Sequence, residues 1–129
     1  MKMRIQGDSL RLRVRRSELD RLLAGGRVEE TVHFPGEPAA SLTYTLEVVN
    51  GDRETSVRYG TGEIAVAIAA ADACVWSQED KVGIYKELHH DGGVFSLIVE
   101  KDFACLDSMS QDQQDQSDAF ENPRRATVC

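Results

Sequence analysis

Aromatic residues make up only 6% of this 129-residue sequence. A core built on stacked rings is thereby excluded, and the 41% of apolar residues must pack mostly as Leu, Val, Ile and Ala. No apolar run approaches the roughly 18–20 residues that a membrane helix needs. The opening "MKMRIQGDSL" is charged and alternating, unlike a signal peptide. Cysteine occurs three times, so the thiols cannot all pair within one chain. These features lead us to expect a soluble cytoplasmic protein. Motifs are missing as well. There is no P-loop, no GxGxxG after a strand, no CxxC and no HExxH, so the enzyme classes that carry those signatures are set aside.

Positive charge is in deficit overall: the net charge is −7, which opposes general affinity for nucleic acid. The distribution is uneven. Basic residues crowd positions 2–27, whereas acidic residues dominate positions 102–129. Head and tail can therefore attract each other, within one chain or between two, and a homodimer is one expected form.

What is present is a pattern that occurs twice. When Arg4 is laid over Arg58, Leu10, Leu12 and Val14 fall on Ile64, Val66 and Ile68. Glu18 falls on Asp72, Leu22 on Trp76, Arg27 on Lys81 and Val28 on Val82. Each copy reads as a short strand, a Gly-containing turn, an alternating strand, a short helix and two further strands. In the first copy Ser17 is the expected N-cap, with Leu19, Leu22 and Leu23 facing inward and Gly25-Gly26 ending the helix. In the second, Ala73 and Trp76 face inward. The predicted fold class is therefore α+β. Two ββαββ units (residues 3–48 and 57–100) would form a small barrel-like antiparallel sheet with two short helices. Residues 1–104 are read as one domain, and 105–129 as an acidic C-terminal arm packed on it.

The stretch "IAVAIAAADACVWSQEDKVGIYKEL" is similar to the repeat of AbrB-like swapped-hairpin barrels, over residues 3–35 and 57–89. That resemblance implies a fold more than an activity. A second resemblance covers nearly the whole chain. "MRIQGDSLRLRVRRSELDRL", "GRVEETVHF", "VEKDFACLD" and "DQSDAFENP" with a terminal Cys look like a family of small bacterial proteins without an assigned activity. It implies that the tail belongs with the domain.

Candidate sites are few. Arg11, Arg13 and Arg15 share one strand face and could hold an anion. Ala65, Ala67 and Ala69 stand at the equivalent points, so the basic surface is not symmetric, and a solvated or tail-covered face is the expectation. His89 and His90 are placed in a turn with Asp91, and His33 lies in a strand. Cys74 reads as a buried, inert thiol. Asp112, Asp115 and Asp118 lack the Gly and Glu of a calcium loop and read as a solvated linker. Phe120 is the one large apolar residue there and is expected to dock on the domain. Cys105 and Cys129 bracket the arm. They are read either as a pair, joined by a disulfide or by zinc, or as two unrelated thiols.

The leading expectation is a small binding or interaction protein with a protein or small-molecule partner. A metal-binding protein using Cys105 and Cys129, a nucleic-acid-binding regulator and an enzyme of unrecognised chemistry stand behind it.

Overall fold

A computed structural model describes residues 1–103 and 118–121. The element order is β1 (Lys2–Ile5), β2 (Ser9–Val14), α1 (Arg16–Leu23), β3 (Arg27–Phe34), β4 (Ala40–Val49), β5 (Ser56–Gly60), β6 (Glu63–Ala69), α2 (Ala70–Trp76), β7 (Gly83–His90) and β8 (Gly93–Lys101). The order ββαββ thus runs twice. Strand formation follows the alternation: in β2, Leu10, Leu12 and Val14 are buried while Arg11 and Arg13 face outward. Between β5 and β6 the chain reverses at Gly62, whose φ of +68° is left-handed and favours glycine.

The strands form two four-stranded sheets, ordered β1-β2-β8-β7 and β3-β4-β6-β5. Each half gives one hairpin to each sheet. The hairpins are antiparallel inside, but they meet through parallel pairs, β2 with β8 and β4 with β6. The expectation of an antiparallel sheet is therefore corrected to two mixed sheets. Hairpin turns fix only local partners, and the central pairs join strands far apart in sequence. The four central strands carry much of the buried apolar surface, as strands with a neighbour on each side do. Leu12, Leu46, Ile68, Leu97 and Val99 are fully buried, in one cluster with Leu22 and Trp76 from the helices.

The closed barrel does not form. β1, β7, β3 and β5 remain terminal strands. Polar clusters stand at the two seams where ladder bonds would be needed. At one, the Met1 ammonium lies 2.6 Å from Glu18 and 3.4 Å from Glu30 of β3. At the other, Asp72 receives the Thr55 hydroxyl and pairs with Lys86 of β7 at 3.1 Å.

The register relation between halves also shifts after the helices. Val28 pairs with Leu46, and Ile84 with Val99, so Val28 corresponds to Ile84 and Arg27 to Gly83. The sequence comparison had set them on Val82 and Lys81. The connection from Ser77 to Val82 is longer than that from Ala24 to Gly26, and Val82 serves it by accepting the Trp76 indole N–H at 3.2 Å. Gly83 fits because a Cβ there would meet the Val99 carbonyl oxygen at 2.7 Å. Three side-chain placements differ from expectation. Leu23 is 47% exposed, since it falls on the solvent side of a helix whose Leu19 and Leu22 already fill the core. Cys74 is exposed for the same reason, lying between the inward Ala73 and Trp76. Arg15 lies beyond the end of β2 and is the N-cap of α1. No helix among the described residues is long and apolar enough to cross a membrane.

Candidate functional site

Two surfaces and one anchored segment gather the candidate functional residues. The first surface is the outward face of the sheet led by β1. Arg11 and Arg13 lie there as expected, but they are engaged. Arg11 Nε stands 3.2 Å and Arg13 Nε 4.0 Å from Glu100 Oε1. That oxygen is buried and within ion-pair distance, yet not aligned for a hydrogen bond. The Tyr85 hydroxyl donates to the other Glu100 oxygen at 3.1 Å. Burial, then the Glu100 charge, pushes the Tyr85 phenol up from its ordinary pKa. Lys2 pairs with Asp102 at 3.5 Å. The arginine stripe is thus internally compensated by β8 and the residue that follows it.

The anchored segment is Asp118–Glu121. Asp118 accepts the Ser17 N–H (3.0 Å) and the Ser17 hydroxyl (2.7 Å), and its carbonyl accepts the Arg16 N–H (2.9 Å). Ser17 is therefore not the N-cap. It lies inside α1, and two of the helix's orphan N–H groups are closed by the carboxylate and the backbone carbonyl of one residue distant in sequence. The Ser17 hydrogen bonds hold the Asp118 carboxyl below its usual value, helped by Arg15 and Arg16 and opposed by burial. Phe120 docks as expected. Its N–H donates to the Asp102 carbonyl at 2.9 Å, its ring meets Phe103 edge-on at 6.0 Å, and Arg16 and Lys101 lie over it at 4.9 and 5.2 Å. Burial lowers the Lys101 pKa; the ammonium donates to the Gln78 carbonyl at 2.8 Å. Sequence reasoning found the Phe120 anchor from its isolated hydrophobicity. It missed Asp118, because a cap supplied from so far along the chain leaves no local signal.

The second surface is a cleft of about 670 Å³ between β5 and β7. Val57, Leu88 and Phe95 form its half-buried floor, continuous with the core, and Tyr59 stands over it 76% exposed. His89 and His90 line it from the end of β7. They belong to the strand itself, since β7 runs to His90 and the turn begins at Asp91. His90 Nδ1 accepts the Gly92 N–H at 3.0 Å. Glu54 and Glu87 complete the wall. No sequence signal marked this cleft, because its apolar residues come from strands of different sheets.

Among the described residues, no group of three or more His, Cys, Asp or Glu side chains could hold a metal ion. Cys105 and Cys129, and with them the zinc or disulfide expectation, lie outside the described residues. So do Asp112 and Asp115. His33 lies exposed in β3.

A family model described as a family of unknown function, DUF7009, matches residues 1–124. The match agrees with the whole-chain resemblance to a family without an assigned activity. No curated protein matches the chain, and no solved structure does. The chain belongs to the DUF7009 family.

Proposed function

We propose that this DUF7009 protein is a small, non-catalytic binding protein of the cytoplasm, and that it takes an extended, partly apolar partner in the cleft between β5 and β7. The observation that carries this reading is the lining of that cleft. An apolar floor continuous with the core lies open beside a tyrosine that is 76% exposed, an arrangement that favours an occupant with apolar side chains. β5 and β7 are terminal strands, so main-chain groups at their free edges can receive an added strand. Glu54 and Glu87 favour basic residues flanking the apolar ones. The cytoplasmic assignment rests on the odd number of thiols.

Amide NMR titration of the full chain with short peptides alternating Val or Phe with Lys tests the proposal. Shifts should cluster at residues 55–59 and 87–90 and vanish in Tyr59→Ser. Shifts elsewhere, or binding that survives Tyr59→Ser unchanged, overturn it. A second copy as occupant would appear as concentration-dependent shifts at the same residues without peptide.

A further inference from the structure

The outward faces of the two sheets are built from matching rows. In one sheet the pairings set Lys2, Arg13, Glu100 and Gly83 side by side, with Arg4, Arg11, Ile98 and Tyr85 in the next row. In the other, the corresponding rows are Ser56, Ala67, Glu47 and Arg27, then Arg58, Ala65, Thr45 and Glu29. Glu47 and Glu100 therefore hold the same place.

Their surroundings are opposite. The Glu100 side chain is 16% exposed and lies under Arg11 and Arg13. Glu47 is exposed and makes no hydrogen bond or ion pair among the described residues. Alanines stand where the two arginines would be, and Arg27, directly opposite Glu47, turns instead to Glu29 at 2.9 Å. The missing side chains leave a trough of about 600 Å³, floored by Ala65 and Ala67. Over β1 and β2 the corresponding depression holds only about 140 Å³.

We propose that this trough receives the guanidinium of an arginine side chain from a partner, which pairs with Glu47 as Arg11 pairs with Glu100. The chain thus supplies internally on one face what it takes from outside on the other. The charge balance of the walls agrees. Glu47, Asp52 and Glu54 outnumber Arg53 and Arg58. The neighbouring arginines select guanidinium over ammonium, because a planar, weakly hydrated guanidinium tolerates others beside it. The first sheet demonstrates that tolerance, holding Arg4, Arg11 and Arg13 on a single face. The trough opens on the outward face of β5 and β6; it shares Glu54 and Ser56 with the β5–β7 cleft, whereas Glu47, Ala65 and Ala67 belong to the trough alone.

The probe is N-acetyl-L-arginine methylamide, titrated into the full chain and followed by amide NMR, with the citrulline and lysine analogues alongside. The arginine probe should shift the amides of Ser56, Ala65 and Ala67 in a saturable way. The neutral citrulline analogue and the Glu47→Gln variant should each weaken binding by up to about fivefold, the size expected for a partly exposed ion pair. Ala65→Arg should abolish the shifts by filling the trough from within. Glu47→Gln changes an exposed side chain, so it decides the matter even where Ala65→Arg does not fold. No shift at tens of millimolar, equal binding of the citrulline analogue, or binding unaffected by Glu47→Gln each overturns the proposal.

Discussion

The helices α1 and α2 occupy matching places in the two halves, yet their first turns are closed by different groups. Before α1, the Arg15 N–H donates directly to Glu18 at 2.9 Å. Before α2, the Ala69 N–H donates to the Thr55 hydroxyl at 2.9 Å, which in turn donates to Asp72 at 2.5 Å. Aspartate is one methylene shorter than glutamate. A hydroxyl from the chain leading into β5 spans the difference. The cationic partner changes as well, from the Met1 ammonium to Lys86. The fold needs the backbone donor at each helix start satisfied, and it accepts any group that arrives there. What repeats is the requirement, and the residue meeting it is free to vary.

The comparison can be broken hardest at the core. Leu22 and Trp76 are both 1% exposed. Leu22→Ala should cost about 2–5 kcal/mol and Trp76→Ala about 3–5. The tryptophan should lie at the upper end because its loss also leaves the Val82 carbonyl without the indole N–H. Urea unfolding of both variants checks the order, and a larger loss for Leu22→Ala would show the halves to contribute differently from this account.

The relay at α2 is next. Thr55→Val should cost about 1–3 kcal/mol by stranding the Ala69 N–H, while Thr55→Ser stays near the parent. Adding Asp72→Glu to Thr55→Val should recover part of the loss, because the longer carboxylate can reach the donor as Glu18 does. No recovery in equilibrium unfolding would refute the length argument.

Asp118 has a counterpart in neither sequence copy, and it sharpens the asymmetry. Asp118→Ala should cost about 0.5–2 kcal/mol, the range of a lost helix cap, and should speed hydrogen exchange at the Arg16 and Ser17 amides. Its carboxyl titrates below the ordinary 3.8 when folded. The anchor therefore contributes fully above that value and is lost as pH falls through the depressed one. Protection of those two amides, taken relative to the intrinsic exchange rate at each pH, should fall down the acid range in the parent and stay flat in Asp118→Ala.

The smallest effect is expected on the sheet faces. Arg11→Ala removes a partly exposed ion pair and should cost up to about 1 kcal/mol, with a salt dependence that the parent shows and the variant lacks.

Much of this was legible from the chain alone. Alternation in β2 and β6 placed Leu10, Leu12, Val14, Val66 and Ile68 in the core. Spacing on the helices placed Leu22, Ala73 and Trp76 there as well. The isolated Phe120 was read as a docking residue, and it docks. Less legible were the β3 and β7 registers, since a longer connection after α2 displaces them while strand patterns stay intact. The β5–β7 cleft and the Asp118 cap had no signature at all, because each joins residues from distant parts of the chain.

The sequence by itself determined the local elements, since side-chain periodicity and turn residues act over a few positions. It determined the family and the split between a basic head and an acidic tail. Only the tertiary structure decided that the central strands run parallel, that two sheets form in place of a barrel, and that Glu100 is covered while Glu47 is bare. Those outcomes depend on which distant segments meet, and the energy of such meetings comes from shared burial and cross-strand charge. Neither is encoded at any single position.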